Sequence, residues 1–387
     1  MGSSAGLRSV VPERPAPLVF VVDPASAAAD APFGSYAAVG ATGIRLLAAE
    51  LSQRLAALGA AVERLEPAPL APPHWGRWFT SVARRVLAET GGRPVDAIGY
   101  VSAGSLALVD DVTLDAFLSP RAGEAVANNR FSADAFSVAG DLDRALTQLA
   151  ECPTDNAAAR SLEGGGFAVR ELSDRPWSRF DVDTPLDLAL LRLAGRLPEV
   201  RRTARPVASF LEMAQLPNGQ GLEVPNLAQL GAVMRDRSGE LVVAGRVPAA
   251  ALSLLETETA CRVRAFVEER GMRSARQAAR PRSVFVRALQ RDGAAVLVAE
   301  LETLGNAVIL DTRVLMASIA GSAEIADWPP AEERFASDFG DHRSIRTTWL
   351  AELTAAAATS SVPMLLGGHA LVSDGLRILC AASWLGR

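Results

Sequence analysis

Three aspartates lie within seven residues at the start of a helix-like run. Residues 180–187 read FDVDTPLD, and LALLRLAGRL follows directly. Paired carboxylates suit Mg²⁺, which can in turn bind phosphate oxygens. The same residues also suit a plain helix start, because Thr184 or Asp183 can cap the helix, Pro185 fits its first turn and Asp187 favours its dipole. The segment indicates either a metal and phosphate site or a capped helix.

The basic residues limit how such a site could hold phosphate. All 39 Lys+Arg residues are arginine, so the chain has no lysine. This excludes a Walker A lysine and a Schiff-base lysine. Any bound phosphate is therefore held by arginine, by backbone N–H groups or by a metal.

The bulk properties limit the partners and the compartment. The net charge of −5 gives no general attraction to nucleic acid or to acidic membranes. No apolar run reaches membrane-spanning length, and the N-terminus lacks the layout of a signal peptide. The three cysteines, Cys152, Cys261 and Cys380, are far apart and form no CxxC pair. We expect a cytoplasmic protein without nucleic-acid or membrane partners; the sequence leaves its oligomeric state open.

The first half alternates predicted strands with predicted helices. This pattern predicts an α/β domain with a mostly parallel sheet over residues 15–200. The predicted strands are 18–22, 95–103 and 166–172, and the predicted helices are 43–59, 76–90, 141–151 and 184–197.

The charged stretch 199–206 ends in proline and marks the predicted domain boundary. Residues 206–387 are predicted to form a smaller α/β or α+β domain. We predict a strand at 239–247, a helix at 253–271, two strands within 295–317, a helix at 346–360, and a strand, glycine turn and helix within 362–384.

The motif FDVDTPLDLALL closely resembles the closing motif of nucleotidyltransferases with the GT-A-like fold. These are the molybdenum-cofactor guanylyltransferase (MobA-like) and 2-phospho-lactate guanylyltransferase kind. Residues 38–60, 96–118 and 127–140 match further family segments in order and spacing. The resemblance covers roughly residues 15–200 and implies a Rossmann-like, GT-A-like domain.

By this resemblance the protein would bind a nucleotide and transfer a nucleotidyl group from an NTP to a phosphorylated small molecule. Asp181 and Asp183 would be the catalytic residues and would hold Mg²⁺. Asn128, Asn129, Ser132 and Asp134 match an asparagine-rich turn that faces the nucleotide sugar. Taken as residue types alone, the same four side chains also suit an ordinary structured turn.

The chain departs from the family pattern at two places. The Gly-rich loop after the first strand is absent, and the candidate replacements are Gly34, Ser35, Gly40, Thr42, Gly43 and Arg45. The central aspartate is replaced by Gly104 and Ser105, and a serine hydroxyl cannot replace a metal-binding carboxylate. Asp110 and Asp111 follow closely and are candidate substitutes for that metal ligand.

Three functional hypotheses follow. The first is a nucleotidyltransferase-like protein with an atypical or degenerate site. The second is a non-catalytic binding protein that holds a nucleotide or phosphorylated ligand with its cleft and the arginine-rich stretch 256–283. The third places an anion site in the second half, around Arg246, Arg273, Arg313 and His369. Ser373 and Asp374 lie near His369, but no GxSxG motif supports a hydrolase.

Overall fold

The computed structural model describes residues 16–23, 31–66, 74–90, 94–172, 177–272 and 280–385. The first half of the chain contributes one β-sheet and its flanking helices. In chain order these elements are β1 (Leu18–Val22), α1 (Tyr36–Ala57), β2 (Ala61–Leu65), α2 (Trp75–Glu89), β3 (Ala97–Val101), α3 (Asp111–Leu118), β4 (Glu124–Ala127), β5 (Ala135–Ala139), α4 (Leu142–Ala150), α5 (Ala158–Gly164), β6 (Ala168–Glu171) and α6 (Pro185–Ala194).

The second half contributes another sheet. Its elements are α7 (Arg205–Met213), α8 (Leu227–Arg235), β7 (Glu240–Gly245), α9 (Ala249–Glu258), β8 (Arg262–Val267), α10 (Val284–Asp292), α11 (Ala294–Leu304), β9 (Ala307–Asp311), α12 (Thr312–Ala320), α13 (Ala331–Asp338), α14 (Thr348–Ala358), β10 (Met364–Gly367) and α15 (Asp374–Ser383). Short 3₁₀ turns lie at Asp155–Ala157, Ile325–Asp327 and His342–Ser344.

The first sheet is mixed and mostly parallel, with the strand order β2-β1-β3-β5-β4-β6. Only β5 runs against its neighbours among the described strands. Val101 at the end of β3 pairs with Ala135 at the start of β5. The residues that follow β3 and those that precede β5 therefore lie at the same edge of the sheet, together with the turn that follows β4.

The second sheet is parallel throughout, with the order β10-β9-β7-β8. Its first strand, β7, has β8 on one side and β9 on the other. In a parallel sheet of this kind, the crevice between the carboxyl ends of such strands is the usual place for a ligand. The prediction of α/β structure is confirmed for both halves.

Helix α6 packs between the two halves. Each of its residues except Arg192 is buried, so α6 is a core helix and not a surface helix. Its leucines belong to one apolar cluster with Leu47 of α1 and with Leu241, Ile309 and Leu365 of the second sheet. One continuous core therefore crosses the predicted boundary near residue 200.

Two of the predicted elements in the second half are wrong. The predicted helix 253–271 is α9 followed by strand β8, and Arg262 of β8 pairs with Glu240 on the neighbouring strand. The predicted strand pair within 295–317 is helix α11, strand β9 and helix α12. A short apolar run does not distinguish a buried helix from a buried strand, which explains the second error.

Among the described residues, no helix is long and apolar enough to cross a membrane.

Candidate functional site

The loop before α6 is a complete capping box. Thr184 Oγ1 accepts from the Asp187 backbone N–H at 3.2 Å, and Asp187 Oδ2 accepts from the backbone N–H groups of Asp183 and Thr184 at 3.1 and 2.9 Å. The Thr184 hydroxyl also donates to Asp187 Oδ2, at 2.9 Å. Burial, and then the charge of Asp183, raise the pKa of Asp187 to about 7. Asp187 therefore shapes the loop, as the helix-cap interpretation expects.

Asp181 and Asp183 are the two carboxylates of this loop that do not take part in the capping box. Asp181 is half-buried and accepts from Ser105 Oγ at 3.0 Å, while Asp183 is exposed. Burial, and then the charges of Asp183 and Asp134, raise the pKa of Asp181 well above its ordinary value. This crowding of carboxylates makes a cation favourable beside Asp181.

The loop after β3 packs directly against the loop of residues 180–184, which we call the aspartate loop. Gly104 has φ +89°, and a Cβ there would stand 2.2 Å from the carbonyl oxygen of Val182. Only glycine allows this approach, which places the Ser105 hydroxyl on Asp181. The structure therefore brings together Gly104, Ser105, Asp181 and Asp183, four of the residues singled out from the sequence.

The asparagine-rich turn is built by its own side chains. Asn128 is buried, and its Oδ1 accepts from the backbone N–H groups of Asp134 and Ala135. Asn129 accepts from the backbone of Phe131, and the Ser132 hydroxyl donates to Asn156 at 2.6 Å. These contacts fit the structured-turn interpretation. Asp134 also reaches the site, since its charge acts on Asp181.

Asp110 and Asp111 have other tasks. Asp110 caps α3 by accepting from the Thr113 backbone at 2.7 Å, and Asp111 forms an ion pair with Arg54 of α1 at 2.6 Å. The carboxylates whose charges act most strongly on Asp181 are Asp183, Asp134 and Asp187. The predicted role of Asp110 and Asp111 as substitutes for the central aspartate gains no support from these contacts.

The candidate phosphate loop is mostly a helix. Gly34 lies in an exposed turn, Ser35 is the N-cap of α1, and α1 begins at Tyr36, seven residues before the predicted start. Thr42 and Arg45 are exposed on this helix, away from any loop. The predicted helix 43–59 therefore begins earlier, because Ser35 caps it, and Gly40 and Thr42 lie in a helix instead of a loop.

Gly40 and Gly43 of α1 pack against α6. A Cβ on Gly40 would stand 3.3 Å from Pro185 Cδ, and one on Gly43 would stand 2.4 Å from Leu188 Cδ1. Their small size lets the two helices approach closely, and it serves helix packing instead of phosphate binding.

The N-terminus of α1 already holds a carboxylate from the second half. Glu332 Oε1 and Oε2 accept from the backbone N–H groups of Tyr36 and Ala37, each at 2.9 Å. The Tyr36 hydroxyl donates to Asp341 at 3.1 Å, and burial together with Asp341 raises the pKa of Tyr36. Sequence reasoning missed both acids, because nothing local connects residues about 300 positions apart.

We call the boundary where Glu332 of α13 meets Tyr36 and Ala37 of α1 the seam between the halves. Helix α13 also carries Arg334. Arg334 is half-buried, with its guanidinium near the rings of Trp328 and Phe335. Its Nε is buried and has no hydrogen-bond partner among the described residues. Burial, and then the charge of Arg313, lower the pKa of Arg334 to about 10, while the charges of Asp338 and Asp183 act in the opposite direction.

Two ion pairs line the carboxyl edge of the second sheet. Arg246 holds Asp311 through Nε at 2.6 Å and Nη2 at 3.0 Å, and Arg313 holds Asp338 at 2.5 and 2.6 Å. The charge of Asp187 acts on Arg313. Asp187 therefore lies near this edge of the second sheet.

Gly367, the last residue of β10 and the first of a glycine pair, is needed for packing. A Cβ on Gly367 would stand 2.6 Å from Leu371 Cδ2 and 2.8 Å from Leu186 Cδ2. The Ser373 hydroxyl donates to the backbone oxygen of His369 at 2.9 Å, so it is not aimed at the imidazole. No support for the hydrolase interpretation comes from these residues. Arg273 and Arg276 lie outside the described residues.

The donor types fit a magnesium ion only in part. The described residues contain no group of three His, Cys, Asp or Glu side chains placed to hold a metal. Asp181 and Asp183 would therefore supply a minority of the six ligands that Mg²⁺ takes, and phosphate oxygens and water would supply the rest.

Comparison of the chain with models of known protein families finds no match, and comparisons with curated proteins and with solved structures find none either.

Proposed function

We propose that the protein binds a nucleotide with Mg²⁺ at the seam between its halves, as a nucleotidyltransferase-like protein with an atypical site. The observation that carries this proposal is that opposite charges from the two halves lie near each other. Asp181 and Asp183 lie in the loop before α6, Arg334 lies on α13, and the charge of Asp183 acts on Arg334.

Each side of the seam suits a different part of a metal–phosphate ligand. The carboxylates are hard oxygen donors for Mg²⁺, and Arg334 supplies a guanidinium for a phosphate oxygen where the family uses lysine. The acidic side alone would repel a triphosphate, because Asp134, Asp181 and Asp183 all contribute negative charge. Nucleotide binding should therefore require the metal.

The GT-A-like assignment belongs to this proposal. It is supported by the sequence match that ends in DVDTPLDL and by the contact between Ser105 and Asp181, which joins two of the matched segments. In this proposal Ser105 and the capping box position the aspartate loop. Transfer of the nucleotidyl group to a phosphorylated acceptor would then rest on positioning and charge neutralisation.

Glu332 favours a second candidate, a non-catalytic protein that binds a nucleotide or another phosphorylated ligand. The N–H groups of Tyr36 and Ala37 at the start of α1 are satisfied by this internal carboxylate. They are therefore not available to a triphosphate in this structure. A binding protein needs fewer phosphate contacts than a transferase, and its ligand could be held by arginine without a metal.

A thermal-shift panel of ATP, GTP, CTP and UTP, each with and without Mg²⁺, tests the proposal. A ligand at a hundred times its dissociation constant stabilises the fold by about 2.7 kcal/mol, which gives a shift of a few degrees. A shift that needs Mg²⁺ and is lost in Asp183→Asn supports the metal site. Asp115→Asn is the matched control, because Asp115 is an exposed aspartate on α3.

Two other results would change the conclusion. A shift of equal size without Mg²⁺, unaltered in Asp183→Asn, supports the binding-protein candidate. No shift with any nucleotide, in a folded protein, contradicts nucleotide binding in both candidates.

A further inference from the structure

The second sheet has its own charged group, at the crevice between the carboxyl ends of β7 and β9. Asp311 closes β9 and is fully buried, and Arg246 directly follows β7. A Cβ on Gly245, at φ +119°, would stand 2.3 Å from the Asp311 Cβ. Because Gly245 has no Cβ, the Asp311 side chain fits beside it and contacts Arg246.

Asp311 fixes the guanidinium of Arg246 in one orientation. It accepts from Nε, from Nη2 and, at 3.3 Å, from the Arg246 backbone N–H. Among the described residues no hydrogen bond involves Nη1, and 13% of the Arg246 side chain is exposed. A guanidinium held along one edge presents its other edge in a fixed direction, which suits a planar or tetrahedral anion.

Stability alone does not explain this pair. Burying a carboxylate and a guanidinium costs desolvation free energy that their attraction only roughly offsets, and apolar residues of similar volume often do as well. Asp311 is nevertheless placed at the crevice where open α/β sheets bind ligands. The arrangement is easier to understand as a means of orienting Arg246.

A second arginine and a histidine accompany Arg246. The charges of Arg246 and Arg270 both act on His369, which follows β10 and keeps an exposed face. Desolvation, and then these two charges, lower the pKa of His369 to about 4, so its ring is neutral at pH 7.

We propose that Arg246, oriented by Asp311 and flanked by Arg270 and His369, forms an anion-binding site for a phosphate or carboxylate group of a small molecule. This site uses none of the residues of the proposed nucleotide site at Asp181, and it does not depend on that proposal. Arg246 donates to the anion through its free edge. The neutral imidazole of His369 donates one further hydrogen bond.

The three histidines allow a direct test. The chain contains only His74, His342 and His369, so a histidine-labelled full-length protein gives three imidazole signals, and His369→Gln assigns the one that matters. Inorganic phosphate and acetate are titrated separately at constant ionic strength. We expect a saturable shift of the His369 signal, a smaller response of the other two, and a rise in the pKa of His369 when the anion is bound.

The variant Arg246→Gln/Asp311→Asn removes both charges together, so no unpaired buried carboxylate remains to unfold the protein. It should weaken anion binding about 10-fold or more, since a charge-assisted hydrogen bond is lost. Arg287→Gln is the matched control, because Arg287 is an exposed arginine on α10 outside the crevice. It should leave the titration unchanged.

The responses to the two anions identify the class of ligand. A response to phosphate alone assigns a phosphorylated ligand, a response to acetate alone assigns a carboxylate, and a response to both assigns a general anion site. A His369 signal that stays fixed with both anions overturns the proposal. So does a titration that the folded double variant reproduces with wild-type affinity.

Discussion

At the scale of single residues, the acids of the aspartate loop divide into one that shapes the loop and two that face the seam. Asp187 accepts three hydrogen bonds within the capping box, yet it is buried beside Asp183. Those bonds fix the backbone of Asp183 and Thr184. The same burial makes the charge on Asp187 costly, which ties the stability of the fold to pH.

The pKa of Asp187 predicts how stability changes with pH. A folded-state pKa of about 7, above the ordinary 3.8, means that the native state binds this proton more tightly than the unfolded chain does. This stabilisation is complete below pH 4 and is lost as the pH rises through 7. It amounts to at most about 4 kcal/mol, from 1.36 kcal/mol per pKa unit.

Asp187→Asn should remove this dependence while keeping an acceptor oxygen for the loop. Urea unfolding at pH 5, 6, 7 and 8 should show a wild-type loss of stability that is much smaller in the variant, with Asp115→Asn behaving like wild type. Parallel profiles for wild type and Asp187→Asn would rule out the raised pKa.

Gly104 and Gly59 allow two causes of a glycine requirement to be separated. Both have positive φ, but a Cβ on Gly59 meets nothing within 4 Å, whereas one on Gly104 meets the Val182 carbonyl oxygen. Gly59→Ala should cost about 1 kcal/mol for its backbone conformation alone. Gly104→Ala should cost about 2 kcal/mol more and weaken ligand binding, because the aspartate loop must move.

Denaturation and binding measurements on both variants check this prediction. Equal losses of stability in Gly59→Ala and Gly104→Ala would mean that the close approach of Gly104 to Val182 does not affect stability.

Part of the site was predictable at this scale, and part was not. The short motif DVDTPLDL carries its own cap, and its resemblance to the family motif selected Asp181 and Asp183. Glu332 contacts residues about 300 positions away, and the charge that acts on Arg334 from the first half belongs to Asp183. No local sequence pattern indicates such long-range interactions. Gly40 and Gly43 were misinterpreted because glycine suits both phosphate loops and close helix packing.

At the scale of elements, helix α13 connects the second half to the first through Glu332. Its carboxylate satisfies two N–H groups of α1 and carries the charge that a helix N-terminus favours. Glu332→Ala should therefore cost about 1–2 kcal/mol, typical of a lost helix cap. Glu352→Ala is the matched control, because Glu352 is an exposed glutamate on α14.

Glu332→Ala has a second consequence. The freed N–H groups become an open site for an anion, so inorganic phosphate should stabilise this variant more than it stabilises wild type or Glu352→Ala. Thermal unfolding in rising phosphate at constant ionic strength measures the difference. Identical phosphate dependence in all three proteins would show that Glu332 does not occupy an anion position.

The alternation of strands and helices could be predicted from the sequence because each element is short and bounded by turn residues. Strand β8 could not be predicted. Its sequence RVRAFV lies at the sheet edge, where exposed and half-buried residues mix, so the hydrophobic pattern has no clear period of two. Helix α11 and strand β9 are both apolar runs, and only the packing around them decides their type.

At the scale of the whole molecule, α6 makes one folding unit of two sheets. Its residue Leu188 is fully buried in the cluster that joins both halves. Leu188→Ala should destabilise the protein by about 2–5 kcal/mol, as expected for a large cavity in a core. Because the core is shared, both halves should lose stability together.

Six tryptophans make this prediction measurable. Trp75, Trp78 and Trp177 lie in the first half, and Trp328, Trp349 and Trp384 lie in the second. Single-tryptophan versions of the chain, one for each half, should report the same midpoint of denaturation, displaced equally by Leu188→Ala. Two separate midpoints, with only the first half displaced, would contradict a shared core.

The central claim is that a nucleotide and Mg²⁺ bind together at the seam, with carboxylates on one side and Arg334 on the other. The most direct measurement is the dissociation constant of the best nucleotide from the panel as free Mg²⁺ is varied, in wild type, Asp183→Asn and Asp115→Asn. We predict that Mg²⁺ tightens binding about 10-fold or more in wild type and in Asp115→Asn, and that Asp183→Asn loses most of this gain. A dissociation constant that is independent of Mg²⁺, and identical in all three proteins, would contradict the claim.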